Sequence, residues 1–106
     1  MPYCVYVIRL KQDVWSEKRF VSRNPGRRPE KPCVYVGSTA HTPEERSEQH
    51  LRGYKANRYA HRYHDGLHKR LTARHKPLET REEAEKIEIE LAELLRRKGY
   101  GVWYGV

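Results

Sequence analysis

Two tyrosines, Tyr6 and Tyr35, occupy the same place in a tetrapeptide that occurs twice, Cys-Val-Tyr-Val at 4–7 and 33–36. Both copies are rich in Val and Tyr, and each reads as a β-strand. Alternation sends Cys4, Tyr6 and Ile8 to one face and Val5 and Val7 to the other. Cys33, Tyr35 and Gly37 likewise share a face opposite Val34 and Val36. Adjacent strands usually pair, so an antiparallel hairpin sets both phenols on one side of a sheet. Two such rings can also be ordinary core, and spacing alone favours that reading. Gly37 is more specific, because a strand-end glycine admits close approach by another backbone or a ligand.

Glu88 is the second candidate. At about 100° per residue from Ala84 it falls only about 40° away, inside the stripe of Ala84, Leu91 and Leu95. Every other nearby glutamate lies roughly 100° or more from Ala84 on that count. A carboxylate in an apolar stripe needs a cation, a donor or a metal. A salt bridge to Lys98 or to an arginine of another element would serve as well as a functional role. Arg46 and His50, one turn apart on a predicted helix, are the third. Solvated pairs of this kind are common, and the interest lies in their place nine residues or more beyond Gly37.

Together these side chains suit phosphodiester hydrolysis. Arginine matches phosphate oxygens. Mg²⁺ keeps several waters and takes one or two carboxylates, so Glu88 alone suffices as a protein ligand. A phenol, ordinarily near pKa 10, serves as a base only where a cation or an arginine lowers it.

The elements that must position these groups are legible in part. Tyr3 to Leu10 and Cys33 to Gly37 are strands, joined by a long polar connection over 11–32 that Trp15, Phe20 and Val21 fold partly back. Thr42, Pro43 and Glu45 form a capping box that opens a helix running to Arg52 and stopping at Gly53. Ala56, Tyr59, Ala60 and Tyr63 predict a second helix ended by Asp65-Gly66. Leu67, Leu71 and Ala73 suggest a third strand near 67–74. Thr80 and Glu83 open the longest helix, closed by Arg96, Arg97, Lys98 and Gly99. Tyr100 to Val106 reads as a terminal strand or a segment packed on the core.

The chain of 106 residues is long enough for one modest core, and a single domain over 1–106 is expected. Net charge is +8 and unevenly placed. Residues 11–32 hold seven Lys/Arg against three acids, and 52–76 hold eight against Asp65 alone. Residues 79–98 reverse this, with seven Glu against five bases. Such segregation predicts a footprint for nucleic acid. Arg19, Arg23, Arg27 and Arg28 are its candidate contacts in the first segment. Lys55, Arg58, Arg62, Lys69 and Arg70 are those in the second. The plainer alternative is a basic surface that keeps the protein soluble. No apolar run approaches the roughly 20 residues of a membrane span, and no secretory signal opens the chain. A cytoplasmic protein of a bacterium, archaeon or phage is the default expectation. Cys4 and Cys33, at matched positions, would lie close if the strands pair; buried thiols are favoured over a disulfide. A zinc site from them is weakly supported, since no finger-like pair is present.

In order and spacing these pieces resemble the GIY-YIG nuclease superfamily over nearly the whole chain. Cys4-Val5-Tyr6 stands where the family has GIY, and Tyr35-Val36-Gly37 where it has YIG. Gly37-Ser38-Thr39, then Pro43, Arg46 and His50, is similar to the family's passage into its arginine-bearing helix. The resemblance implies Arg46 as catalytic arginine, Glu88 as metal-binding glutamate, and His50 as a histidine found in some branches, including certain restriction enzymes and structure-specific resolvases. It also implies an α+β sandwich around a three-stranded antiparallel sheet flanked by helices. One Mg²⁺ or Mn²⁺ ion would act in hydrolysing DNA, with RNA not excluded. No sequence-reading domain is appended, so structure-guided or weakly specific cleavage is expected, with specificity open to supply by a partner protein. Three features depart from the pattern. Cys4 replaces the first glycine, the 11–32 connection is longer than in compact members, and the asparagine many members carry after the glutamate is missing from 100–106. A nucleic-acid-binding module that kept the fold and lost catalysis is the alternative, and a basic interaction subunit is a third class.

Overall fold

The computed structural model describes residues 2–72 and 76–105. Strands β1 (Cys4–Leu10) and β2 (Cys33–Thr39) pair antiparallel, as the sequence predicts. The sheet has four strands in the order β3-β1-β2-β4, with β3 at His64–Leu67 and β4 at Gly101–Tyr104. It is mixed, because β4 runs parallel to β2. The expectation of three antiparallel strands is therefore corrected. Parallel neighbours need a long crossover. Here helix α5 (Arg81–Arg97) carries the chain back along the sheet, so that the C-terminal segment enters in the direction of β2.

The third strand also lies earlier than expected. β3 contains Asp65-Gly66, which reads as a helix terminator, and Gly66 adopts φ 95° where the pairing with β1 shifts register between Ile8 and Leu10. Helix α3 is correspondingly short, Arg58–Arg62. Residues 69–72 form a helical turn, α4, rather than strand, and Ala73 of the predicted strand lies outside the described residues. The 11–32 connection is largely folded: a 3-10 turn at Gln12–Ser16 and helix α1 at Lys18–Ser22 bury Val14 and Phe20 completely.

Strict alternation along β1 and β2 divides the core in two. Val5, Val7, Val34 and Val36 meet Leu91, Ala92 and Leu95 of α5. Tyr6, Ile8, Cys33 and Tyr35 face Val14, Phe20 and the α3 residues Tyr59 and Ala60. Helix α2 (Pro43–Arg52) carries the predicted reciprocal capping box and ends at Gly53. Antiparallel register reverses the second tetrapeptide, so Cys4 pairs with Thr39 while Cys33 pairs with Leu10. The two thiols sit at opposite ends of the hairpin, both free, against the expectation that matched positions bring them close. Burial pushes both thiols above their ordinary pKa, which removes them as nucleophiles at neutral pH. Among the described residues no helix is long and apolar enough to cross a membrane.

Candidate active site

The site forms at the end of the sheet where β1 begins and β2 finishes. Tyr6 is paired directly with Gly37, and its ring lies across that glycine. A Cβ at position 37 would stand 2.5 Å from the Tyr6 Cζ, so only glycine lets the ring occupy this place. Tyr35 is the diagonal neighbour on the same face, with ring centroids 6.3 Å apart.

His50 packs against both rings, at 5.8 Å from Tyr6 and 5.2 Å from Tyr35, and is fully buried. Its two nitrogens are assigned by their partners. The Asn57 backbone N–H donates to Nδ1 at 3.2 Å, which makes Nδ1 the acceptor and places the ring proton on Nε2. Nε2 lies 2.8 Å from the Tyr6 hydroxyl oxygen and therefore donates to it. Tyr6 and Tyr35 also influence each other, in the sense that raises Tyr6 and lowers Tyr35. Burial, then the charges of Arg46 and the neighbouring histidines, lowers the His50 pKa to about 3, so the imidazole is neutral at physiological pH. Burial also raises the Tyr6 phenol far above its usual value, with Tyr35 adding to the effect. Tyr35 is pushed up to about 12, by burial first and Glu88 second, while Arg46 and the bond from Tyr6 act to lower it.

Arg46 is fixed by the loop that follows its own helix. Nη1 donates to Gln49 Oε1 at 3.0 Å and to the Tyr54 carbonyl at 3.3 Å, and Nη2 donates to the Lys55 carbonyl at 2.8 Å. Three of the five guanidinium donors are thus engaged, and Nε–H and one Nη2–H remain for an oxyanion.

Glu88 arrives from the other side. It is 1% exposed on α5, which covers the valine face, whereas Arg46 belongs to the tyrosine face. The two meet beyond the sheet's end rather than on one face. Gly105 is the joint: its N–H donates to Glu88 Oε2 at 2.8 Å and also to the Val36 carbonyl at 3.1 Å. A Cβ on Gly105 would come within 2.5 Å of the Tyr35 hydroxyl oxygen. The result is a cleft of about 380 Å³ lined by Tyr6, Tyr35, Gly37, Arg46, Glu88 and Gly105. Of the five residues singled out as catalytic, four line this cleft and His50 lies behind Tyr6.

Glu85, one turn before Glu88, and Arg81 also line the cleft and carried no signal in the sequence beyond their place on α5. Gly105 and the Asn57 amide were missed because they act through the backbone. Among the described residues no cluster of three or more His, Cys, Asp or Glu could hold a metal. Cys4 and Cys33, at opposite ends of the hairpin, cannot share one ion. The oxygen donors Glu88 and Glu85 instead fit a hard ion that keeps most of its waters.

The basic residues separate by what already occupies them. Arg58 and Arg62 pair with Glu17 at 3.7 and 3.4 Å, and Arg28 pairs with Glu30 at 3.0 Å. Arg27 stacks over Trp15 at 4.7 Å and bonds to Gln12 and to the Lys31 carbonyl. Arg23 lies over Trp103 at 5.4 Å. Arg19, Lys55, Lys69 and Arg70 are exposed.

Two tyrosines, an arginine and a buried carboxylate line one cleft on a small mixed sheet. A model of the GIY-YIG catalytic domain matches residues 2–101, and the chain belongs to this family, which is one of endonucleases. No curated protein and no solved structure matches it.

Proposed function

We propose that the protein is a divalent-metal-dependent endonuclease that hydrolyses phosphodiester bonds in DNA, guided by structure more than by sequence. The observation that carries this reading is that Tyr6, Tyr35, Arg46 and Glu88 line one cleft. Arg46 offers Nε–H and an Nη2–H to the non-bridging oxygens of the scissile phosphate. Glu88, with Glu85 beside it, would hold Mg²⁺ or Mn²⁺, which polarises the phosphate and stabilises the leaving oxygen. Of the two phenols, Tyr35 would position the attacking water, and it would take up the proton only once Arg46 and the bound cation lower it from about 12. Tyr6 is occupied by His50 on one side and Tyr35 on the other and is the harder to ionise. Tyr35, at about 12, is the easier, and Arg46 acts to lower it.

The test is cleavage of plasmid and branched DNA with Mg²⁺ or Mn²⁺, and with chelator. Metal-dependent nicking that disappears in Arg46→Ala and in Glu88→Gln, with both variants folded, is the expected result. Binding without cleavage under every metal condition would favour a module that kept the fold and lost the chemistry.

A further inference from the structure

We propose that Tyr54 is a base-stacking subsite that takes the face of one unpaired nucleobase beside the scissile phosphate. The inference rests on the nuclease reading above and adds to it a substrate class: strands with an unstacked base, as in a flap, bulge or junction.

The first support is how the loop leaves α2. Gly53, at φ 83°, donates to the His50 carbonyl at 3.1 Å, and the Tyr54 N–H donates to the Gln49 carbonyl at 2.9 Å. In this helix ending the residue after the glycine usually clasps an apolar side chain of the last turn. The positions it would clasp are Gln49 and Glu48, so the ring is left 56% exposed. Leu51, three positions earlier, is 48% exposed. Leu51, Tyr54 and Ile89 are the exposed large hydrophobic residues among those described, and the first two stand within four positions of each other.

The second support is the rigid link to the site. The carbonyls of Tyr54 and Lys55 are the ones that hold Arg46, so the backbone that carries the ring is tied to the guanidinium that would grip the phosphate. Lys55 sits at φ 46°, a left-handed conformation that a residue with a Cβ adopts at a cost and that points its carbonyl at Arg46. The third is charge. Lys55 Nζ lies 5.6 Å from the Tyr54 ring centroid, and the exposed Arg52 and Arg58 flank it in the chain, in long surface pairs with Glu48 at 3.9 Å and Glu17 at 3.7 Å that a phosphate can displace. An exposed aromatic among cations matches single-stranded nucleic acid, whose bases stack on rings while the backbone follows the charge. A paired duplex keeps its bases stacked internally and offers none.

The experiment measures binding under chelator, which prevents hydrolysis, to a branched DNA carrying 2-aminopurine at the unpaired position and to the matching duplex. Wild-type protein should quench the probe and bind the branched DNA more tightly than duplex. Tyr54→Ala should lose quenching and reduce that preference by about 5- to 150-fold, the range base–aromatic stacking produces. Tyr54→Phe should retain both. The ring is exposed and Arg46 is held by backbone, so folding and the arginine tether survive either change. Equal branched-to-duplex ratios in wild type and Tyr54→Ala, with metal-dependent cleavage intact, would overturn the stacking site alone. Failure to bind or cleave any DNA would overturn the nuclease reading together with it.

Discussion

Two buried polar clusters stand on opposite flanks of the central strands, and they use similar groups for different ends. One joins Asn57, His50, Tyr6 and Tyr35 at the cleft. The other surrounds Asn24, which is 2% exposed at the free edge of β4. The Asn24 amide takes the place of a neighbouring strand. Nδ2 donates to the Val102 carbonyl at 3.0 Å and to the Phe20 carbonyl at 2.7 Å, while Oδ1 accepts from the Val102 N–H at 2.8 Å and from Arg96 Nε at 3.1 Å. Every polar atom of that side chain is bonded inside the protein, and Arg96 ties it on to the Val102 carbonyl and the Glu93 carboxylate. The tyrosine cluster instead ends on hydroxyls that line a cleft. Closure makes a cluster a fastener, whereas an open end lets it move a proton.

The comparison breaks first at the cleft. Glu88→Gln should reduce cleavage by about 10³-fold and Arg46→Ala by about 10²- to 10³-fold, since each removes a group aimed at developing charge. Nicking rates measured on folded variants check this, and a variant with near wild-type rates would remove that residue from the site. Asn24→Ala should do the reverse. It orphans the Val102 N–H and the Phe20 carbonyl, at roughly 2–4 kcal/mol of stability, while the folded fraction cleaves at the wild-type rate. Chemical denaturation followed beside activity separates the two effects. An Asn24→Ala protein that stays stable but cleaves poorly would erase the distinction between clusters.

Gly105→Ala is next in size. Its Cβ would meet the Tyr35 hydroxyl at 2.5 Å, beside Glu88 Oε2 at 3.4 Å. Displacing a catalytic group by about 1 Å costs on the order of 10²-fold in rate. Gly26→Ala, where nothing lies within 4 Å, is the control and should cleave normally. Equal rates for the two variants would show that Tyr35 tolerates displacement and does not position the attacking water.

What was legible in the sequence followed from local rules. Alternation assigned Tyr6 and Tyr35 to one face, the Thr42 box fixed the start of α2, and the 3.6-residue period marked Glu88 as buried. Each depends on residues a few positions apart. The parallel pairing of β4 does not, because it is decided by how α5 crosses the sheet. β3 was hidden for a different reason: its His-Asp-Gly-Leu sequence has the composition of a turn, and only the bulge against β1 makes it a strand. At the site, side-chain chemistry was readable, but the Asn57 amide, the carbonyls of Tyr54 and Lys55, and Gly105 act through backbone common to all residues. Arg46 comes to the cleft from α2 and Glu88 from α5, and no local pattern in the sequence states that two helices so far apart in the chain share one cleft.

The smallest effect tests the proton on His50. Its pKa is about 3 in the folded protein and 6.5 when unfolded, so the unfolded chain binds the extra proton between those values. The stabilisation is complete above pH 6.5 and is lost as pH falls toward 3, at up to about 1.4 kcal/mol per pH unit. His64 and His68, lowered by burial as well, act in the same direction. Glu45 is lowered by its cap bonds from 4.5, so its own contribution is lost only below that pH. Between pH 6.5 and 4.5 His50 contributes to the slope together with His64 and His68. His50→Gln should flatten the slope by one histidine's share over the whole range from pH 6.5 down to about 3. A slope identical to wild type would mean that His50 titrates freely in the fold. It would then carry no fixed proton on Nε2, and the order from Asn57 through His50 to Tyr6 would fail at its first link. Nitrogen chemical shifts of His50 report the same tautomer directly, and protonation at Nδ1 instead would have the same consequence.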